Sequence, residues 1–188
     1  MILFSIFLAC SSSKKVDPSA TQVVEEKEVV QGELHGSFPP ENLPPIEFTA
    51  LNYDGTERNK DALLGHPTVM WFYPYAQTTG WTIQGCGFRD LYESFQALGV
   101  EIVAVGFSSI EDNAEWVEAK EFQFEIWSDT DRSLGLYYGA ATSADQSAAS
   151  RVTKILDSDG KLVLEYNSAN FMSNPQDVLE DCQILFSE

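Results

Sequence analysis

The sequence is short of cysteine, histidine and basic residues. Its 188 residues include three cysteines and two histidines, and the cysteines form no Cys-x-x-Cys pair. A zinc site needs closely spaced Cys or His ligands, so we expect no metal and no cofactor. Eleven Lys and Arg residues stand against 29 Asp and Glu, for a formal net charge of −18. Because nucleic acids and anionic lipid surfaces bind clustered cationic side chains, this balance argues against both as partners.

The sequence also lacks an apolar run long enough to cross a membrane. Residues 1–9, MILFSIFLA, are apolar, whereas a spanning helix needs about 20 such residues. The run ends in small residues and Cys10, which is similar to a bacterial lipoprotein signal, where the cysteine becomes lipidated. The match has two departures. No Lys or Arg precedes the apolar run, which a start codon assigned too late would explain. Phe7 stands at a position where the lipoprotein signal usually has leucine. An incidental cysteine in a hydrophobic N-terminus is the alternative.

These features divide the chain into three predicted segments. Residues 1–10 are a lipoprotein-type signal ending in Cys10, residues 11–45 are a flexible tether, and residues 46–188 are the folded domain. The tether has few aromatic residues, so it cannot bury enough apolar surface to offset the entropy of ordering the chain. A lipid on Cys10 would hold the domain at the bacterial cell envelope, facing the periplasm or the exterior. Without that lipid we expect a cytoplasmic protein.

The third segment alternates predicted strands and helices. Residues 68–73 and 100–107 are nearly continuous apolar runs, typical of strands buried on both faces. Residues 81–98 carry apolar side chains at spacings of three and four, which predicts one amphipathic helix ended by Gly99. Residues 152–166 contain two short strands around an Asp-Gly turn, which predicts a β-hairpin. The other predicted elements are strands at 46–51 and 124–127 and helices at 60–64, 112–120, 133–138 and 175–186.

The order of these elements predicts the fold class. Strands that alternate with helices form a layered α/β sheet with right-handed crossovers. The closing hairpin adds antiparallel strands, so the sheet is mixed. We therefore predict an α/β, thioredoxin-like fold with a central mixed sheet flanked by helices.

Four segments of the domain, taken in order, carry a family resemblance. They are IEFTALNYDGT from residue 46, VMWFYPYAQTTG from residue 69, CGFRDLYESFQALGVEIVAVG from residue 86 and SRVTKILDSDGKL from residue 150. With them the domain resembles a peroxiredoxin of the bacterioferritin-comigratory-protein (PrxQ) type, in the alkyl hydroperoxide reductase/thiol-specific antioxidant family. The resemblance implies the peroxiredoxin form of the thioredoxin-like fold and an antioxidant thiol peroxidase. It also implies thioredoxin or another thiol reductant as a partner.

The same resemblance implies the residues of the site. The family's Pro-x-x-x-Thr-x-x-Cys loop falls on Pro74, Thr78 and Trp81, so a tryptophan stands at the position of the peroxidatic cysteine. The partner arginine matches Arg151, and the resolving cysteine matches Cys86. Because an indole offers no nucleophile, we predict a degenerate site without cysteine-based peroxidase activity. We further predict that the Trp81 ring packs in the former peroxide pocket, against the Arg151 guanidinium.

Three functions stay open at this point. The chemistry favours a membrane-tethered thioredoxin-fold module that binds a partner or ligand. The family implies instead a thioredoxin-dependent thiol peroxidase that reduces hydrogen peroxide and organic hydroperoxides. A third function is a redox accessory that uses Cys86 and Cys182. These two thiols either pair as a disulfide or are unrelated buried side chains, and we favour the second.

Overall fold

A computed structural model describes residues 34–187. The predicted signal with Cys10, and the predicted tether as far as residue 33, lie outside the described residues. The strands are β1 (Ala50–Asn52), β2 (Glu57–Arg58), β3 (Thr68–Phe72), β4 (Glu101–Gly106), β5 (Glu125–Ser128), β6 (Thr153–Leu156) and β7 (Leu162–Tyr166). The helices are α1 (Thr79–Asp90), α2 (Tyr92–Ala97), α3 (Ile110–Lys120), α4 (Ser133–Tyr137) and α5 (Asn174–Phe186), with a 3₁₀ turn at Lys60–Leu63.

The strands form one mixed sheet in the order β2-β1-β5-β4-β3-β6-β7. Strands β3, β4 and β5 are parallel, whereas β1 joins β5 and β6 joins β3 in antiparallel pairs. Every residue of β3 is buried, as expected for an apolar strand at the centre of a sheet. The predicted fold class, an α/β sheet made mixed by a closing hairpin, is confirmed.

Alternate residues of β3 face two separate apolar cores. Val69 and Trp71 face a core that α1, α2, α3 and α5 cover. Met70 and Phe72 face a second core that contains Leu134 of α4. The side-chain period of two in a strand explains this division. The sheet therefore separates two apolar cores, one on each of its faces.

The helix predicted over residues 81–98 is two helices. It begins two residues earlier, after Thr78, and it breaks at Leu91, where φ is −101° and ψ is 2°. The apolar spacing continues across the break, because Phe88 and Phe95 are both fully buried and their rings lie 6.0 Å apart. Because the apolar spacing is the same before and after Leu91, it could not predict that the helix breaks there.

The first strand is shorter than predicted, and it begins at Ala50 instead of residue 46. The turn that follows it is present, with Gly55 at a φ of +82° and a 2.8 Å hydrogen bond from the Asn52 N–H to the Thr56 carbonyl. Glycine adopts this left-handed conformation without the steric cost of a Cβ atom.

Residues 34–45 lie against the domain, which corrects the predicted extent of the tether. The backbone N–H groups of His35 and Gly36 donate to the Asp181 carboxylate of α5, at 2.9 and 2.8 Å. The hydroxyl of Tyr166 donates to the same carboxylate. Asp181 is fully buried, so these bonds replace the water that a buried carboxylate loses.

The same segment also binds the outer edge of β7. Ser37 and Glu165 exchange two backbone hydrogen bonds of 2.9 Å, and the Leu162 N–H donates to the Leu43 carbonyl at 2.9 Å. Backbone bonds to a sheet edge place few demands on side-chain type. The composition of residues 34–45 therefore predicted a free tether, although the backbone of this segment binds the edge of β7.

Candidate functional site

The loop between β3 and α1 positions the start of α1. Pro74 follows the buried end of the strand, and Gln77 has a left-handed φ of +62°. Thr78 is the exposed N-cap residue, and its hydroxyl donates to the Tyr75 carbonyl at 3.2 Å. Thr78 makes no side-chain bond to the helix N-terminus. The loop is thus closed by its own hydrogen bond, and the Thr78 hydroxyl is used within it.

Trp81 lies in the first turn of α1 and contacts Arg151, which immediately precedes Val152 and β6. The guanidinium carbon of Arg151 lies over the Trp81 ring, 4.5 Å from its centroid. This is the contact predicted from the sequence, and it is confirmed. A guanidinium over an indole face contributes roughly 0.5–2 kcal/mol, more where water is excluded. Both side chains are half-buried, so the contact is partly screened from solvent.

A second aromatic ring contacts the same arginine. The guanidinium carbon of Arg151 lies 5.3 Å from the ring centroid of Phe171, and one guanidinium N–H donates to the Ala169 carbonyl at 3.2 Å. The Nε of Arg151 is buried without a hydrogen-bond partner among residues 34–187. Sequence reasoning missed Phe171. An aromatic residue in the polar stretch before α5 was the available signal, but nothing in the sequence places it near β6.

A buried polar triad lies one turn beyond Trp81. Gln84 of α1 donates through Nε2 to Asn174 Oδ1 of α5 at 2.8 Å, and the Thr153 hydroxyl of β6 donates to the same oxygen at 2.9 Å. All three side chains are buried. Since a buried hydrogen bond resists separation of its partners, the triad fixes α1 against both β6 and α5. It therefore holds Trp81 and Arg151 in register.

The two described cysteines are free thiols on different helices. Cys86 is half-buried in α1, and Cys182 is fully buried in α5. Burial, with a smaller contribution from the Asp181 charge, raises the pKa of the Cys182 thiol far above its ordinary value. A thiol with a raised pKa is a poor nucleophile. The structure thus contains two unpaired thiols, as favoured from the sequence, and the alternative of a disulfide is not present.

The described residues were searched for groups that could bind a metal ion and for helices that could cross a membrane. Within residues 34–187, no group of three or more His, Cys, Asp or Glu side chains could hold a metal ion. No helix in the same range combines the length and the apolar character that crossing a membrane requires.

Comparison with known proteins identifies the scaffold that carries this site. Residues 42–164 match the AhpC/TSA family, which is more than half of the chain. The chain belongs to this family. The matched residues include the loop before α1, Trp81, Cys86 and Arg151, and they end before Phe171 and Asn174.

The relatives show that the chain is a peroxiredoxin of the PrxQ type, as the resemblance predicted, and solved structures share its fold. Peroxiredoxin Q of Sedum lineare chloroplasts is 31% identical over 124 residues, which are 66% of this chain and 67% of that protein. The Populus jackii peroxiredoxin Q is 30% identical over 124 residues, and the match spans 58% of its length. The crystal structure of peroxidoxin BcpB from Mycobacterium tuberculosis has a TM-score of 0.70 at 23% identity, over 78% of this chain and 97% of that one. The bacterioferritin comigratory protein of Xanthomonas campestris also gives 0.70 at 23% identity, over 74% and 92%.

Proposed function

We propose that this peroxiredoxin-fold domain has a degenerate active site and acts by binding, without cysteine-based peroxidase activity. One observation carries the proposal: an indole, and no thiol, occupies the first turn of α1 in contact with Arg151. Peroxide reduction begins when a thiolate attacks the O–O bond and becomes a sulfenic acid. Trp81 has no thiol, and its indole acts only as an N–H donor, so it cannot make that attack.

The groups around Trp81 support the same conclusion. Arg151 lies over two aromatic rings, and the Thr78 hydroxyl donates to the backbone of its own loop. Catalysis by electrostatic stabilisation needs donors that point at the reacting oxygens. These two groups are engaged with the protein itself, so a peroxide entering this place would have to displace the indole first.

Cys86 is a poor replacement for the missing nucleophile. It stands five residues after Trp81 in α1, about 8.6 Å away between Cα atoms and on a different face of an ideal helix. It also lies outside the first turn, where helix N–H groups lower a thiol pKa. We therefore assign Cys86 no peroxidatic role.

A working thiol peroxidase is the second candidate function. Family membership supports it, and so does the presence of Pro74, Thr78 and Arg151 at the matching positions. Thioredoxin or another thiol reductant would then be the partner. A redox accessory built on Cys86 and Cys182 is less favoured, because Cys182 is fully buried with a raised pKa.

Hydroperoxide turnover tests the choice between these functions. With thioredoxin, its reductase and NADPH, we expect the full-length chain to consume hydrogen peroxide and tert-butyl hydroperoxide no faster than a blank. We expect Cys86→Ser to be indistinguishable from the unchanged chain, because neither has a thiol in the first turn of α1. Turnover that Cys86→Ser abolishes would establish the peroxidase and refute the proposal.

We also propose that the mature chain is a lipoprotein at the bacterial cell envelope, tethered through Cys10. The apolar run before this cysteine motivates the proposal. Expressed in a bacterial host, the full chain is expected to incorporate labelled palmitate into the membrane fraction. Cys10→Ser should lose the label entirely, whereas Ser11→Ala should retain it, since only a thiol accepts the lipid. Equal labelling of the two variants, or no labelling of the unchanged chain, would contradict the anchor.

A further inference from the structure

Residues 34–43 form a strap across the outer edge of β7. None of these residues is buried, and Phe38 is 41% exposed. The half-buried Leu34 and Leu43, near the two ends of the strap, pack against the two apolar cores. A segment that buries little apolar surface opens at a free energy well below that of global unfolding. The strap is therefore held mainly by its hydrogen bonds.

One carboxylate holds the N-terminal end of the strap. The backbone N–H groups of His35 and Gly36 donate to the two oxygens of Asp181, at 2.9 and 2.8 Å, and the Tyr166 hydroxyl also donates to this carboxylate. Hydrogen bonds to a charged group are stronger than those between neutral groups. Asp181 is fully buried while the strap is in place. When the strap leaves, water replaces the two N–H groups, so the charge is not left without partners.

Gly36 sets how closely the strap approaches β7. A Cβ atom at this position would lie 2.7 Å from Leu164 Cδ2, 2.8 Å from Leu164 Cγ and 3.0 Å from Tyr166 Cε2. Leu164 is fully buried, and a close-packed core leaves it no room to move. The strap would move instead, because it has no buried residue of its own. A larger residue at position 36 therefore displaces the strap and leaves the core in place.

The rest of the strap is joined to the domain by its backbone. Ser37 and Glu165 exchange two hydrogen bonds of 2.9 Å, and the Leu162 N–H donates to the Leu43 carbonyl at 2.9 Å. Just beyond the strap, the Tyr137 hydroxyl donates to the Pro44 carbonyl at 2.6 Å. The family match begins at residue 42. Most of the strap is thus an addition to the part of the domain that matches the family.

We propose that the strap is detachable: Asp181 holds it against β7, and its release lengthens the link between the domain and the preceding part of the chain. The ten residues of the strap span up to about 35 Å when extended. Release also uncovers the Leu162 and Glu165 N–H groups at the edge of β7. If Cys10 carries the proposed lipid, the domain then reaches further from the membrane. The strap itself rests on contacts among described residues and does not depend on that anchor.

Native-state hydrogen exchange of the ¹⁵N-labelled full-length chain tests whether the strap detaches. The reporters are the amides that donate across the contact between strap and domain, namely those of His35, Gly36, Ser37, Leu162 and Glu165. We expect them to exchange together, at least about 100-fold faster than Val69 of β3. About 1 M urea should change their rates little, because release exposes little surface. Exchange of the reporters at the Val69 rate would mean that the strap leaves only on global unfolding, and would overturn the proposal.

Gly36→Ala is expected to release the strap from a folded domain. All five reporter amides should lose their protection, while Val69 stays protected and the far-UV circular dichroism is unchanged. Gly80→Ala is the matched control, because a Cβ atom at Gly80 meets nothing within 4 Å, and the reporters should keep their protection in it. Reporters that remain protected in Gly36→Ala, or a domain that unfolds together with the strap, would refute a detachable strap.

Asp181→Asn tests whether this carboxylate holds the strap. Asparagine keeps the size of the side chain but has no charge and one accepting oxygen, so the reporters should exchange on the order of tenfold faster. The Val69 rate should rise by no more than the same factor, because the released and unfolded states both lack the bonds to Asp181. Asp177→Asn, a half-buried carboxylate one turn earlier in α5, is the charge-matched control and should change the reporter rates less than about twofold. Unaltered rates in Asp181→Asn would contradict its role.

Discussion

Replacing Trp81 with cysteine is expected to give the chain the hydroperoxide reductase activity that the proposed degenerate site lacks. The substitution places a thiol in the first turn of α1, where backbone N–H groups stabilise a thiolate. It also removes the ring that lies against Arg151, so the guanidinium can point at a peroxide oxygen. We expect turnover on the order of 10²–10³ above the unchanged chain, the effect of one preorganised charge-stabilising group.

The measurement is NADPH consumption coupled to thioredoxin, at matched folded protein as judged by thermal unfolding. Trp81→Ser is the control, because it opens the same space without supplying a thiol, and it should remain at background. A folded Trp81→Cys variant as inactive as the control would show that more than the tryptophan silences the site.

The double variant with Trp81→Cys and Cys86→Ser separates two steps of the reaction. The first is the formation of a sulfenic acid at position 81, and the second is the disulfide bond that Cys86 would form with it. Formation of sulfenic acid, detected by a dimedone adduct in mass spectrometry, should persist in the double variant. Continuous turnover should fall, because Cys86 is the thiol at the resolving position. In the intact helix the two positions are about 8.6 Å apart, beyond the roughly 7 Å that a disulfide spans. We therefore expect α1 to unwind locally when the two sulfurs bond.

Lys154→Met is expected to destabilise the fold by about 1–3 kcal/mol, because it leaves the half-buried Glu165 carboxylate without its ion-pair partner. The Glu165 side chain is 13% exposed, and its charge is balanced by Lys154 at 2.7 Å. Stability of 5–15 kcal/mol is usual for a domain, so the loss would be a large fraction of the whole. Urea unfolding at pH 7 measures it.

The double variant Lys154→Met with Glu165→Leu is the matched control. It replaces the pair by apolar side chains of similar volume and should unfold near the midpoint of the unchanged chain, or above it. If the double variant is as unstable as Lys154→Met, the loss comes from packing, and the ion pair is not its cause.

The loss of stability in Lys154→Met should become smaller as the pH falls. Burial acts to raise the pKa of Glu165, but the hydrogen bonds from Lys154 and Asn167 and the Lys154 charge outweigh it, so the pKa is lowered. The pair therefore stabilises the fold above the unfolded pKa of about 4.3 and loses that effect as the pH falls through the lower folded value. In Lys154→Met the hydrogen bond and the charge of Lys154 are lost, and only the Asn167 hydrogen bond still opposes burial, so the pKa of Glu165 is higher than in the unchanged chain. The difference in stability between the two proteins should therefore narrow as the pH falls from 7 through about 4.3.

Local patterns predicted most of the fold and one contact of the site. Runs such as TVMWFY and the Asp-Gly turns belong to single elements, so the strands and the hairpin were found at nearly their observed places. The contact between Trp81 and Arg151 was predicted because the family pattern places both in one pocket. The break at Leu91 was missed, since burial continues through it from α1 to α2.

The sequence by itself determined the type of scaffold and the absence of a thiol at Trp81, because both depend on residue identity in a short, ordered pattern. Only the tertiary structure decided what surrounds those residues. Phe171 reaches Arg151, and residues 34–45 dock on β7, through contacts between distant parts of the chain. Such contacts follow from the path of the chain, and no local pattern encodes them.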